Sequence, residues 1–330
     1  MSSLRLSIAI GDYDRNRPLL DGAVQIDGVD PVFMKLVPEE IFFRAFRHAE
    51  FDVCEASLSS FTVKTAQGAN PYVGVPAFLS RAFRHTGIFI RSDRGIARPE
   101  DLKGKRIGLP EYQLTACVWI RAMLEQDYGV KPSDVIWVRG GLEQPGRAEK
   151  ISVELPPAIR VEQAPADRCL NQMLMDGEID GYIGPRSPPA FEAGHPMIAR
   201  LFPEPTAAAS DYYERTKIFP IMHVLGVRRS IVEAQPWLPA ALLKAFEQSK
   251  AMALGKLSDT SATKVTLPFI EEQLQAARKL MGPDFWSYGV GPNRHVLDAF
   301  LKAHHDQGLS PRQLAIEELF HASTLEGFKI

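Results

Sequence analysis

Two arginines, a histidine and two hydroxyls fall within seven residues at Ser80-Arg81-Ala82-Phe83-Arg84-His85-Thr86. An apolar run, Val73 to Leu79, leads into this stretch, and the strand-like Gly87-Ile88-Phe89-Ile90 leaves it. Charge at a turn between buried strands is costly unless it is paired or used. The stretch is therefore either a solvated connection whose arginines pair with carboxylates, or a cradle for a small anion. Three other residues invite the same question. Glu55 ends the short apolar run Phe51-Asp52-Val53-Cys54, Arg186 tips the stiff loop Gly184-Pro185-Arg186-Ser187-Pro188-Pro189, and His223 lies inside the apolar run Ile218 to Val227. A guanidinium fork suits bidentate binding of a carboxylate. A histidine titrates near neutral pH and suits proton transfer.

The elements that must hold these residues alternate in type. Leu4 to Ile10 alternates apolar and polar residues and predicts a strand, followed by a turn at Gly11-Asp12-Tyr13-Asp14. Val24 to Val37 is extended in character, and Pro38-Glu39-Glu40 opens a helix with Ile41, Phe42, Ala45 and Phe46 at helical spacing. Phe51 to Cys54 predicts a buried strand, and Ser57, Ser59 and Ser60 lead into another helix. That order argues an α/β sheet. Pro99 to Pro110 reads as a short helix, a glycine turn and a strand. A long amphipathic helix begins at Thr115 and stops at Tyr128-Gly129, with glycine at the C′ position. Val135 to Val138 is a strand, Arg139 to Pro165 a long Gly- and Pro-rich stretch, Ala166 to Met175 a helix, and Ile179 to Ile183 a strand. Helices are expected over 240–257, 265–280, 294–307 and 311–320.

Composition removes several function classes. At 330 residues the chain is long enough for two domains, and a net charge of -2 gives no general attraction to nucleic acid or to an anionic membrane. Cys54, Cys117 and Cys169 are far apart in apolar segments, so buried thiols are expected rather than a disulfide framework or zinc site. No metal is expected from the spacing of His, Cys and Glu. Neither a phosphate loop nor a Gly-x-Ser-x-Gly elbow is present. The N-terminal apolar run is too short for a signal peptide, and no segment has the length to cross a bilayer, so a cytoplasmic location is expected.

Several pieces match a known pattern. Asp101-Leu102-Lys103-Gly104-Lys105-Arg106-Ile107-Gly108, and later Gly177-Glu178-Ile179-Asp180-Gly181, resemble the two halves of the second lobe of a type II periplasmic-binding-protein-like fold. More narrowly, the chain resembles the 4,5-dihydroxyphthalate decarboxylase family. The matching segments are Phe51 to Ser60, Pro110-Glu111-Tyr112-Gln113-Leu114-Thr115-Ala116, Gly140 to Arg147, Phe219-Pro220-Ile221-Met222-His223, Trp286-Ser287-Tyr288-Gly289 and Glu317-Glu318-Leu319-Phe320. The resemblance covers nearly the whole chain. It implies an α/β chain of two lobes with two crossovers and a ligand cleft between them. Lobe 1 is expected over 1–92 and 225–330, completed by the C-terminal helices, and lobe 2 over 93–224.

The resemblance further implies loss of carbon dioxide from a hydroxylated aromatic carboxylate, with no obligatory cofactor: 4,5-dihydroxyphthalate to 3,4-dihydroxybenzoate, a step in phthalate degradation. The alternative is a non-catalytic binding protein for a small aromatic or acidic solute, because fold does not fix function. A third reading is another reaction on a small acid. Decarboxylation asks for groups that hold the carboxylates and a donor that protonates the vacated ring carbon. Arg84 and Arg186, expected on opposite lobes, and Arg81 are the candidate carboxylate holders. His85 and His223 are the candidate proton donor and orienter, in either order. Glu55 either orients a histidine or pairs with an arginine. Ser57 and Ser59 either donate to a carboxylate or cap the next helix. Tyr112 and Thr115, at the start of the long helix, either bind an anion or serve as a cap. Asp12 and Asp14, after the first strand, either face the ligand or make the turn. Arg147 and Glu143 lie in the long loop as weaker candidates. The expected partner is the small substrate alone, apart from other copies of the chain: the apolar helical C-terminal third suits a homo-oligomer.

Overall fold

The computed structural model describes residues 3–326. In chain order its elements are β1 (Leu4–Ile10), α1 (Arg17–Leu20), β2 (Val29–Lys35), α2 (Pro38–His48), β3 (Val53–Ser57), α3 (Leu58–Ala66), β4 (Tyr72–Arg81), β5 (Ile88–Arg91), β6 (Arg106–Leu109), α4 (Thr115–Tyr128), β7 (Ile136–Arg139), β8 (Arg160–Gln163), α5 (Leu170–Asp176), β9 (Gly181–Ile183), α6 (Pro189–Glu192), β10 (Ile198–Arg200), α7 (Pro205–Thr216), β11 (Ile221–Arg228), α8 (Arg229–Ala234), α9 (Leu238–Leu257), α10 (Ile270–Met281) and α11 (Arg294–Asp306), with short 3-10 turns between them. The chain divides into two units. Unit 1 comprises Met1–Arg81, Lys217–Asp298 and Leu314–Ile330, and unit 2 comprises Ala82–Thr216 and Ala299–Gln313.

Unit 1 is built on a five-stranded sheet in the order β2-β1-β3-β11-β4. β1 runs parallel to β2 and β3, whereas β11 is antiparallel to both β3 and β4. Every residue of β3 is buried, as expected for a central strand covered on both faces. α2 covers this region with Ile41, Phe42, Ala45 and Phe46, and its ends follow the helix dipole, Glu39 and Glu40 at the start and Arg47 and His48 at the finish. Unit 2 is built on a six-stranded sheet in the order β10-β5-β9-β6-β7-β8. α4 is buried from Thr115 to Leu124 and ends at Gly129, whose φ of 63° is the left-handed conformation that glycine adopts without strain.

The unit boundaries differ from the sequence reading. β5 hydrogen-bonds to β9 and β10, so the chain enters unit 2 at residue 82 rather than 93, taking Arg84 and His85 with it. β11 inserts between β3 and β4, so the return is at 217 rather than 225, and His223 belongs to unit 1. Residues 299–313 also belong to unit 2, so the C-terminal helices do not complete unit 1 alone, and the chain changes unit four times rather than twice. Among the elements that escaped the sequence reading are β8, which pairs parallel to β7, β10, which pairs antiparallel to β5, and α7. The helix expected over 311–320 is only a 3-10 turn at Ile316–Glu318, and Gly74 pairs with Phe320 there.

Candidate active site

The arrangement in unit 1 with the clearest acid–base chemistry begins with a carboxylate in the middle of β3. Glu55 is fully buried. In a strand otherwise made of small and apolar residues, an ionised carboxylate survives only if it is well partnered. It is: Oε2 accepts from the Gly11 amide at 2.9 Å, Oε1 accepts from the Tyr13 hydroxyl at 2.9 Å, and Oε1 lies 2.5 Å from His223 Nδ1. Burial alone would raise its pKa. The hydrogen bond and charge of His223, the Gly11 amide and the Tyr13 hydroxyl outweigh that and hold it below the usual carboxylate range. An ionised carboxylate only accepts, so Nδ1 of His223 carries the hydrogen, and Nε2 is the nitrogen left for chemistry.

Strand register explains the meeting. His223 on β11 lies opposite Ser57 on β3, and Leu225 lies opposite Glu55. Ser57 and Glu55 are two residues apart and share a face, so His223 and Glu55 are diagonal cross-strand neighbours. The pairing of β11 with β4 slips on both sides of His223, between Ile221 and His223 and again between His223 and Leu225. Such irregularities re-aim a side chain out of the regular pleat. The imidazole side chain remains 17% exposed, and the Phe42 ring from α2 meets its ring at 4.8 Å, nearly perpendicular.

Tyr13 is held in turn. The Arg15 guanidinium stacks over the Tyr13 and Trp286 rings, 4.3 Å from each centroid, and Arg15 Nε donates to the Leu79 carbonyl at 2.7 Å. Burial, then the Glu55 charge beside it, push the Tyr13 phenol well above its ordinary pKa, so it acts as a donor. The sequence reading named Asp12 and Asp14 in this turn and passed over Tyr13. Its position directly after β1 was the available signal, since α/β sheets gather ligands outside the carboxyl ends of their strands. Asp12 instead pairs with Arg17, and the exposed Asp14 pairs with Arg15 at 3.2 Å, so Asp14 makes the turn.

Other candidates separate from this group. Arg81 is buried and donates to the carbonyls of Phe219 at 3.1 Å and Ser287 at 2.7 Å and to the Asn293 side chain, all within unit 1. It ties the end of β4 to the 287–293 turn and is corrected from carboxylate holder to structural tie. His85 lies in unit 2, 2% exposed, with its ring edge-on to Phe202 at 5.1 Å and Tyr212 at 5.5 Å. Burial pushes its pKa down to about 4, and Nδ1 has no partner, so it is a neutral core histidine rather than a proton donor at neutral pH. Arg84 and Arg186 also both fall in unit 2, so they are not the two opposed jaws that the sequence reading expected. Burial lowers Arg84 to about 10, while Arg186 is exposed on the loop after β9.

Ser57 and Ser59 are both buried. Ser57 occupies the N-cap position of α3 but makes no side-chain cap bond, which removes the capping explanation for it. Leu114, not Thr115, is the N-cap of α4, again without a side-chain cap, and Thr115 is the first helical residue. Tyr112 is buried with its ring beneath the Arg121 guanidinium at 3.7 Å. Unit 2 also contains an ion cluster that brings the weaker candidate Arg147 together with two residues outside the candidate set: buried Glu111 pairs with Lys150 at 2.6 Å and with Arg147 at 2.7 Å. Cys54, Cys117 and Cys169 are free and buried, as expected, and burial raises Cys54 to about 12 and Cys117 to about 11. Among the described residues, no helix is long and apolar enough to cross a membrane.

Comparison with known proteins gives this geometry a setting. The family model described as NMT1/THI5 like matches residues 50–148, which include Glu55. The alkanesulfonate-binding protein from Xanthomonas axonopodis pv. citri shares 13% identity, with 97% of this chain and 99% of that one covered at a TM-score of 0.54. That likeness establishes the fold as periplasmic-binding-protein-like. The 4,5-dihydroxyphthalate decarboxylase of Pseudomonas putida is 62% identical over 213 residues, 64% of this chain and 83% of that protein. The 4,5-dihydroxyphthalate decarboxylase of Comamonas testosteroni is 63% identical over 330 residues, the full length of both chains. At that identity over that length, the chain belongs to the 4,5-dihydroxyphthalate decarboxylase family.

Proposed function

We propose that this chain converts 4,5-dihydroxyphthalate to 3,4-dihydroxybenzoate and carbon dioxide, with His223 as proton donor. The observation that carries the activity is the 63% full-length identity to a relative bearing that name. The Glu55–His223 pair is what supports the assignment of the proton.

The chemistry follows from the substrate. Each carboxylate of 4,5-dihydroxyphthalate stands para to a ring hydroxyl, which pushes electron density onto the carbon bearing that carboxylate. His223 Nε2 gives its proton to this carbon, forming the C–H bond. The C–C bond to the carboxylate then breaks, its electrons restore the aromatic ring, and carbon dioxide leaves. Glu55, ionised and bonded to Nδ1, stabilises the imidazolium before transfer and fixes its orientation, while the Tyr13 hydroxyl and Gly11 amide keep Glu55 charged. Ser57, opposite His223, is proposed as a donor to the substrate, with buried Ser59 as a further candidate. In unit 2, Arg84 and Arg186 are proposed to hold carboxylates, with Tyr112 and Thr115 at the start of α4. The same proposal has the chain working in the cytoplasm as a homo-oligomer without a cofactor.

The test is a panel of hydroxylated benzene carboxylates with carbon dioxide and the product ring both monitored. Release of equal amounts of carbon dioxide and 3,4-dihydroxybenzoate from 4,5-dihydroxyphthalate is the expected result. Stoichiometric binding of that compound with no carbon dioxide formed would establish a solute-binding role instead.

A further inference from the structure

The hydroxyl that steadies Glu55 belongs to a ring that burial alone does not fix. Glu55 Oε1 takes two donors, His223 Nδ1 at 2.5 Å and the Tyr13 hydroxyl at 2.9 Å, while Oε2 takes the Gly11 amide at 2.9 Å. Gly11 donates from the backbone and His223 from a strand of the sheet. Tyr13 sits in the turn after β1 and is only half-buried. Its hydroxyl stays on Oε1 only while its rotamer is held.

Its neighbours hold it. A Cβ at Gly11 would overlap the Tyr13 ring, so the residue that supplies the amide to Oε2 also makes room for the donor to Oε1. The Arg15 guanidinium lies 4.3 Å from the centroids of both Tyr13 and Trp286, so one cation contacts two rings. That cation is itself anchored. Arg15 Nε donates to the Leu79 carbonyl at 2.7 Å, Nη2 donates to the same oxygen, and the Arg15 carbonyl accepts from the Ser249 hydroxyl of α9 at 2.6 Å. Trp286 donates its indole N–H to the Phe78 carbonyl at 3.0 Å, and its ring meets Phe219 edge-on at 5.5 Å. Arg15 and Trp286 are therefore tied to adjacent carbonyls near the end of β4, the strand that pairs with the His223 strand β11.

We propose that Arg15 is a positioning residue for the acid–base group: with Trp286 it holds the Tyr13 ring so that the hydroxyl stays on Glu55 Oε1. It acts through Tyr13, not on the substrate. The titratable groups that share the surroundings of Glu55 are His223 from β11, Tyr13 from the turn after β1, Cys54 beside it on β3 and Tyr288 from the segment before α11. Burial pushes the Cys54 thiol up to about 12 and the Tyr288 phenol well above its ordinary value, so both stay neutral, and α2 presents the uncharged Phe42 ring to His223.

Carbon dioxide release from 4,5-dihydroxyphthalate by wild type, Arg15→Met, Tyr13→Phe and the double variant, all as full chains, tests the coupling. Phenylalanine keeps the ring for Arg15 to stack on and removes only the hydroxyl. Arg15→Met should lower kcat roughly tenfold with KM held within about twofold, and should lower kcat no further in the Tyr13→Phe background. An equal fractional loss in both backgrounds, or undiminished kcat in folded Arg15→Met, would overturn the proposal. Arg15→Lys keeps the charge and a donor for Leu79 but lacks the plane that lies against two rings. It should lose several-fold in kcat and carries the test if the methionine variant does not fold; wild-type kcat in the lysine variant then sinks the idea.

The rate measurement rests on the decarboxylase reading, whereas a second measurement does not. A released Tyr13 hydroxyl lets the folded-state pKa of Glu55 rise toward its unfolded value. The stability that wild type loses as pH falls through the folded value should then be smaller in Arg15→Met and fully lost at a higher pH. Urea midpoints followed from neutral pH into acid should show this difference, and should show none between Tyr13→Phe and the double variant. Identical acid loss in Arg15→Met and wild type would count against the clamp whatever the chain does with 4,5-dihydroxyphthalate. If the wild type releases no carbon dioxide while the acid behaviour is as expected, the clamp stands and the decarboxylase reading falls.

Discussion

At the scale of single residues, the acid–base chemistry depends on what surrounds Glu55. Glu55→Gln preserves size but replaces one acceptor oxygen by an amide, which disturbs the hydrogen at His223 Nδ1. Carbon dioxide release should fall by on the order of 10²–10⁴, read as kcat with substrate affinity followed separately. The same substitution has a pH signature. The folded-state pKa of Glu55 lies below its unfolded value, so its contribution to stability is present above about pH 4.3 and is lost as pH falls through the folded value. Denaturation midpoints of wild type and Glu55→Gln should differ at pH 7 and converge in acid; parallel curves would contradict the assignment. His85 makes a separate prediction. Its pKa drops from 6.5 to about 4 on folding, so the stability gained from burying it neutral is present above about 6.5 and lost as pH falls toward 4. His85→Phe, placed among Phe202 and Tyr212, should flatten that part of the pH–stability curve and retain carbon dioxide release. Loss of turnover with the fold intact would restore His85 as a working residue. Glu55 and His223 were legible as residue types that apolar runs rarely carry. An orienting role for Glu55 on a histidine was one of its two readings, but that the histidine is His223 was not legible, because 168 residues separate them and only the β3–β11 register unites them.

At the scale of elements, local signals succeeded where one element states its own period. The alternation of β1, the Pro-Glu-Glu start of α2 and the Gly129 stop of α4 are written in a few adjacent residues. β8 was not legible, because a four-residue edge strand with one half-buried and three exposed residues has no apolar pattern and exists only by pairing with β7. The segment 311–320 has helical spacing, but the bridge to Gly74 and the 3-10 turn hold it otherwise. Arg81 was misread for a related reason. Its partners Phe219, Ser287 and Asn293 lie 138 to 212 residues away. Arg81→Met should remove three charge-assisted bonds of a buried guanidinium and destabilise the fold by about 3 kcal/mol or more, measured by urea denaturation. A change within error would mean that the β4 end is held by other contacts.

At the scale of the whole molecule, each unit is assembled from discontinuous segments, and the position of β11 inside the first sheet makes that consequential. A fragment ending at Thr216 lacks the strand between β3 and β4 and should not show a cooperative unfolding transition; a sharp two-state melt of that fragment would contradict the dependence. The α/β class was legible from the alternation of elements and the two-unit plan from the family resemblance, while the points of passage were not, because β5 and β11 look like ordinary strands until their partners are known. The central claim is that this chain decarboxylates by protonating a ring carbon through His223. Its most direct test is turnover of 4,5-dihydroxyphthalate in deuterium oxide by wild type and by His223→Gln. The expected products are carbon dioxide and 3,4-dihydroxybenzoate carrying one deuterium at the vacated carbon, with the rate reduced roughly 10²-fold or more in the variant. Undiminished turnover in folded His223→Gln, or no carbon dioxide from the wild type, would contradict it.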